Sequence, residues 1–230
     1  MIDFSQFEKT AGLNFADKEL LKQAFTHRSY INEHKRLKLL HNERFEFLGD
    51  AVLELVTTKF LYDKYPNATE GDLTSYRSAL VNAITLSEVG EKLGMDEYLL
   101  LSKGETKDRG RARQFIIANT FEALVGAIFL DQGYEAADRF IGNNLFSRTE
   151  DIVNKKLWLD AKSHFQERAQ EEDGATPVYK TMYEVGPDHD KHFTVAVFLD
   201  SEKVAEGEGK SKQEAEQAAA QNGLTKKSWL

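Results

Sequence analysis

The sequence predicts two successive units of different class: an all-helical N-terminal part followed by a smaller α-β-β-β-α unit, an α + (α+β) chain. Three observations carry this. Apolar residues recur at helical spacing over most of the first roughly 150 residues. Between Phe193 and Phe198 the period changes to two, with Phe193, Val195 and Val197 alternating against Thr194, Ala196 and Phe198, as in a strand with one face on a core. Between these regions lies a polar run, Arg148-Thr149-Glu150-Asp151-Ile152-Val153-Asn154-Lys155-Lys156, which reads as a hinge. The boundary is set at about 155, giving units 1–155 and 156–230.

Taken in order, helices are predicted over residues 17–31, about 39–64, 72–82, 84–93, 115–131 and 134–146. Pro66 falls just after the second of these, where a helix has to stop. Thr69 followed three residues later by Asp72 is an N-cap signature for the third. In the C-terminal unit a helix is predicted over 160–172 and strands over 177–185, 192–199 and 203–208. A last helix covers about 211–224, with Ala215, Ala218 and Ala219 along one side.

Composition narrows the functional classes. The chain has 230 residues, 41% hydrophobic and 30% charged, which suits a globular protein and is too apolar for a disordered one. There is no cysteine, so disulfides, thiol catalysis and cysteine-based zinc sites are excluded. Asp3, Glu8, Lys9, Asp17, Lys18, Glu19 and Lys22 leave the first 25 residues without an apolar segment of signal-peptide length. No continuous run reaches about 18 apolar residues, so no membrane span is expected and the expected location is the cytoplasm. The net charge of −8 does not advertise a polyanionic partner, although carboxylates gathered at a metal site subtract from net charge while serving phosphate chemistry.

The most informative stretch runs from His41 to Glu54. On a helix, Phe45, Leu48, Val52, Leu55 and Val56 share one face, and Glu43, Glu46, Asp50 and Glu54 fall within an arc of about 80° on another. Like charges at this spacing repel by a few tenths of a kcal/mol per pair, a penalty that a cation removes. A solvated helix face accounts for the spacing equally well. The second observation is Glu122, in the middle of Phe115–Leu130, a stretch apolar nearly all round as a buried helix is. A buried carboxylate costs several kcal/mol unless neutralised, paired or metal-bound. Pairing with Arg44 or Arg28 is one solution. A hard-cation site shared by the two helices is the other, with Asn119 one turn before Glu122 on the same face and Gly126 one turn after it, where a neighbouring helix can approach closely. Carboxylates and amide oxygens without sulfur suit Mg²⁺ or Mn²⁺.

These residues carry a resemblance. Asn42-Glu43-Arg44-Phe45-Glu46-Phe47-Leu48-Gly49-Asp50 resembles the signature of the ribonuclease III endonucleases. Thr26-His27-Arg28-Ser29-Tyr30, Glu70-Gly71-Asp72 and Phe121-Glu122-Ala123-Leu124-Val125-Gly126 are similar to the family's other blocks, in the same order. The C-terminal unit resembles its double-stranded RNA-binding domain, so the likeness spans nearly the whole chain. It implies an Mg²⁺-dependent endonuclease, with Mn²⁺ as a substitute. Such an enzyme cuts double-stranded RNA to 5′-phosphate and 3′-hydroxyl ends, in the processing and decay of ribosomal and messenger RNA. It further implies a symmetric homodimer with one site per strand, no membrane and no small-molecule cofactor. Glu46, Asp50, Asn119 and Glu122 match the metal positions, Asp50 and Glu122 the catalytic ones, and Glu43 and Glu70 supporting acidic ones. At Asn119 the family usually has Asp. That departure also admits a protein of this fold that binds duplex RNA while cutting it weakly or not at all. Phe45 and Phe47 are candidates for the dimer interface or for the core.

The resemblance also implies three duplex contacts in the C-terminal unit: Gln166 on the first helix, His189 in the loop between strands, and Lys210-Ser211-Lys212 at the start of the last helix. Free backbone N–H groups and the helix dipole favour a phosphate at this last position. Gln213 and Glu216 stand where further Lys or Arg often sit, so phosphate contact is expected to be weaker. In the helical unit, Lys107, Arg109, Arg111 and Arg113 form a basic run that suits either a phosphate-tracking loop or an ordinary solvated one. His27 and His41 are expected to be hydrogen-bonding structural residues.

Overall fold

The computed structural model describes residues 3–37, 39–107, 110–154, 161–187 and 191–229. It divides into compact units of residues 1–158 and 159–230. The boundary expected near 155 lies outside the described residues.

The first unit is helical: α1 (Ser5–Ala11), α2 (Lys18–Ala24), α3 (Arg28–Glu33), α4 (Glu43–Lys64), α5 (Glu70–Leu80), α6 (Ala83–Lys92), α7 (Arg111–Gln132), α8 (Tyr134–Leu145) and α9 (Thr149–Asn154). The hub is α7, against which α2, α4, α6 and α8 pack. Ile117, Phe121, Leu124, Val125 and Ile128 meet Leu53 and Val56 of α4 and Leu86 and Val89 of α6 in one core. Covered on so many sides, α7 has little need of a polar face. Its apolar window reaches a mean hydropathy of 1.3, enough to cross a membrane by length and composition alone, but 61% of that window is buried inside the unit. Asn119, Thr120 and Glu122 interrupt the helix, so it contains no continuous run of about 18 apolar residues even though the mean over the window is high.

Several boundaries differ from the sequence reading. The single helix expected over 17–31 is two, α2 and α3, because tertiary backbone bonds interrupt it. The His27 N–H donates to the Leu100 carbonyl at 3.1 Å, the Leu100 N–H to Phe25 at 2.9 Å and the Asn42 N–H to Thr26 at 2.9 Å. A helix continuing through Phe25–His27 would leave these partners unmatched. The run read as a hinge from Arg148 contains α9, whose Thr149 and Ile152 are buried. Helix α7 starts at Arg111 rather than 115, and α1 was not expected. The cap at Thr69 is present with both reciprocal bonds to Asp72, and α5 starts directly behind it.

The second unit comprises α10 (Ala161–Glu172), β1 (Pro177–Val185), β2 (His192–Leu199), β3 (Glu202–Gly209) and α11 (Lys212–Lys227). The strands form one antiparallel sheet in the order β1-β2-β3. Val197 and Leu199 point inward onto Phe165, Ala169, Ala219, Ala220 and Leu224 of the two helices. Gly207 on β3 has no room for a side chain: a Cβ there would lie 2.1 Å from the Ala219 backbone nitrogen, so β3 and α11 are in backbone contact.

Candidate metal centre and nucleic-acid interface

Two glycines assemble the acidic centre. Gly49 on α4 and Gly126 on α7 let the helices touch backbone to backbone. A Cβ on Gly49 would stand 1.8 Å from the Glu122 carbonyl oxygen, and one on Gly126 would stand 2.3 Å from the Phe45 carbonyl oxygen. This approach brings Glu122 into the electrostatic reach of Glu46 and Asp50. Burial, then Asp50, then Glu46 push the Glu122 carboxyl up from 4.5 to about 8. Glu46 is also raised, first by burial and then by Glu43, while a side-chain hydrogen bond from Asn119 acts the other way.

Neither of the pairings considered for Glu122 occurs. Arg28 instead faces Glu43 at 3.6 Å, and Arg44 is exposed. Among the described residues no cation contacts Glu122, and its coupling is entirely to like charges. Nor do three His, Asp or Glu side chains converge among the described residues into a ready-made cation cluster. Mutual repulsion opposes such convergence when nothing neutralises it. The donor set of three carboxylates and one amide, all oxygen, fits a hard divalent cation, which would also relieve the charge strain on Glu122.

Around this centre, Glu43 lies 3.7 Å from the His41 ring as well as beside Arg28. The His41 Nδ1 has no hydrogen-bond partner, contrary to the expectation for it. His27 does cap α3: its Nδ1 accepts from the Ser29 N–H at 3.3 Å and bonds the Ser29 hydroxyl at 2.8 Å. Burial first, then nearby His41, push the His27 imidazole down against the opposing pull of Glu105 and Glu43. Glu70 is not among the groups that perturb Glu122 or Glu46; it opens α5 and lines a groove with Leu61, Tyr62 and Arg77. Phe45 belongs to the core, whereas Phe47 is 83% exposed.

The basic run divides. Lys107 is exposed and Arg109 lies outside the described residues. Arg111 begins α7 and lies 5.8 Å from the centre of the Phe115 ring. Arg113 is withdrawn altogether: it is buried, and its Nε donates to Asp96 at 2.5 Å, tying α7 to the preceding turn. A phosphate-tracking role for Arg113 is therefore corrected to a structural one.

In the second unit Gln166 is exposed on α10 beside a shallow depression shared with Ser163 and Gln170. His189 lies outside the described residues. The start of α11 differs from the expected open N-terminus. Ser211 is its N-cap, and the Ser211 hydroxyl accepts from the Glu214 N–H at 3.1 Å. The Glu214 carboxylate reaches back and accepts from the Lys210 N–H at 3.0 Å. The sequence reading passed over Glu214, although Ser211-x-x-Glu214 has the spacing of a capping box.

The comparisons with known proteins agree with this organisation. A family profile described as Ribonuclease-III-like matches residues 17–149, and one described as Double-stranded RNA binding motif matches residues 161–227. A protein named Ribonuclease 3 from Anoxybacillus flavithermus is 42% identical over 225 residues, spanning 98% of this chain and 94% of that one. A Ribonuclease 3 from Streptococcus mutans is 45% identical over 212 residues, 92% of this chain and 91% of the other. Two solved structures of the nuclease domain of ribonuclease III from Campylobacter jejuni superpose with a TM-score of 0.56. They are 36% and 34% identical and cover 62% and 66% of this chain and 98% and 96% of the solved ones.

Proposed function

This chain belongs to the ribonuclease III family and is an endoribonuclease of double-stranded RNA, and on that premise we propose that it hydrolyses duplex RNA with a divalent cation, Mg²⁺ or Mn²⁺, held by Glu46, Asp50, Asn119 and Glu122. The observation that carries the site assignment is the Gly49–Gly126 approach, which leaves Glu122 partly buried among carboxylates with no counter-charge among the described residues.

When bound, the cation supplies charge relief to the scissile phosphate and lowers the pKa of the attacking water. The chain's own residues do the rest. Glu122 and Asp50 present anionic oxygens to the reacting region from two helices whose backbones are in contact, so their separation is held rigidly. Glu46 is kept in reach by the Asn119 amide, which supplies a neutral donor where a fourth carboxylate would add repulsion. Glu43 acts on Glu46 through its charge and is itself steadied by Arg28.

Cutting both strands requires two sites, and a second copy of the chain supplies the other one under two-fold symmetry. One of the Campylobacter nuclease-domain structures is described by a region involved in dimer formation. The exposed Phe47, close in sequence to Glu46, suits such a contact. Duplex RNA is gripped by shape, through phosphates and 2′-hydroxyls, with Gln166, His189, Lys210, Ser211 and Lys212 of the second unit and Lys107 and Arg109 of the first as its contacts. The cellular role is processing and decay of ribosomal and messenger RNA in the cytoplasm.

The test is incubation of a labelled duplex of about 30 base pairs with Mg²⁺ and, separately, with Ca²⁺. Cleavage to 5′-phosphate ends in Mg²⁺ is expected. A gel shift without cleavage under both conditions overturns the nuclease assignment and leaves a binding protein of the same fold.

A further inference from the structure

The N-terminal end of α11 presents an unusual balance of charge for a surface that has to accept phosphates. Lys210 and Lys212 bracket the Ser211 cap. The Glu214 carboxylate is folded back over the same turn, with its Oε2 3.0 Å from the Lys210 backbone nitrogen. An anionic oxygen thus already accepts from the Lys210 N–H at the turn where an incoming phosphate would be received. The nearby cations are also engaged. The Lys212 ammonium lies 5.8 Å from the centre of the Phe193 ring, and Lys162 of α10 donates to Glu216, the next acidic residue along α11, at 2.6 Å.

A carboxylate at this position does two things of opposite sign. It accepts from the Lys210 N–H just ahead of the Ser211 cap and favours the helix dipole, which stabilises α11. It also lowers the local potential felt by a polyanion and occupies one of the backbone donors that a phosphate would use. Charge and capping are separable here, because Gln accepts from the same N–H without the negative charge.

We propose that Glu214 is an affinity-setting residue that competes with an RNA phosphate for the start of α11, so that duplex binding by this unit is held below what its lysines alone would give. The proposal rests on the reading of the second unit as the duplex-binding element. Phosphate contact at this turn displaces the Glu214 carboxylate from the Lys210 N–H, and the unfavourable part of that exchange is the repulsion between two anions.

The experiment uses the full chain with Ca²⁺ in place of Mg²⁺ and measures anisotropy of a fluorescent duplex of about 20 base pairs at several salt concentrations. Glu214→Gln is expected to bind about three- to tenfold more tightly at low salt, with a melting temperature lowered only slightly by the lost dipole interaction. The advantage should shrink as salt screens the repulsion. Glu202→Gln is the control. It removes the same charge at the other end of β3, where Glu202 begins the strand and Gly209 ends it. Its affinity is expected to stay within twofold of the parent. Unchanged or weaker binding by Glu214→Gln with an intact fold overturns the proposal, and so does an equal gain in the Glu202 control, which reduces the effect to net charge. Glu214→Ala loses the bond to the Lys210 N–H as well, so a larger drop in melting temperature accompanies any gain in its affinity. Failure of the parent chain to bind duplex at all counts against the duplex-binding reading itself.

Discussion

Replacing Glu122 by Gln is expected to abolish cleavage while making the metal-free protein more stable, two effects of opposite sign from one removed charge. The carboxyl has an ordinary value of 4.5 and is pushed to about 8 by burial, Asp50 and Glu46. Below pH 4.5 it is protonated in both the folded and unfolded chain, and its charge costs nothing. Between 4.5 and about 8 the unfolded chain releases the proton and the folded chain keeps it, so stability falls as pH rises. Above about 8 both forms are ionised and the full cost is present. At about 1.4 kcal/mol per pH unit that cost is at most about 5 kcal/mol, and solvent screening of the partly open carboxyl brings it to roughly 2–3 kcal/mol. Gln keeps the shape and carries no such charge. In chelator, urea unfolding at pH 9 should therefore show the variant more stable by roughly 2–3 kcal/mol, with the difference closing by pH 4. Added Mg²⁺ should stabilise the parent more than the variant. Duplex binding in Ca²⁺ should survive while cleavage in Mg²⁺ is lost. Parallel pH profiles for the two proteins would refute the electrostatic account, and near-parental cleavage by the variant would refute the assignment of Glu122.

Further outcomes follow from the same geometry. Asn119→Asp restores a fourth carboxylate and should lower the Mg²⁺ concentration for half-maximal cleavage, while lowering metal-free stability at pH 8; an unchanged metal requirement would remove Asn119 from the ligand set. Gly49→Ala forces a Cβ to within 1.8 Å of the Glu122 carbonyl and should cost about 3 kcal/mol or more with loss of cleavage, read by thermal unfolding and a cleavage assay; a neutral result would refute the helix contact. Ending the chain after residue 155 should leave a folded, dimeric nuclease that cuts at low salt and loses affinity steeply as salt rises, measured by sedimentation and by cleavage across a salt series; an unfolded or monomeric product would contradict two independent units.

Much of this protein is local chemistry and was readable as such. The alternation from Phe193 to Phe198 specifies a strand, although Val195, Ala196 and Val197 are all buried and not one face alone, and Thr69 with Asp72 caps a helix through groups only three residues apart. Glu122 inside an apolar helix announces a paired or metal-bound carboxylate, since its burial follows from the helix being apolar all round. What the line of residues does not contain is which faces meet. Gly49 and Gly126 lie far apart in sequence, and only packing of α4 on α7 turns them into the contact that crowds Glu46, Asp50 and Glu122 together. Arg113 has the same local charge as Lys107, yet Asp96 withdraws it into the core. The helix over 17–31 breaks because Leu100 and Asn42, both distant in sequence, compete for the backbone around Thr26. Helical and strand periods, caps and turn residues act over a few residues, so the sequence by itself determined the elements and the chemical types of the site. Charge coupling, close backbone approach and long-range hydrogen bonds act through space, so only the tertiary structure decided which of those groups share a site.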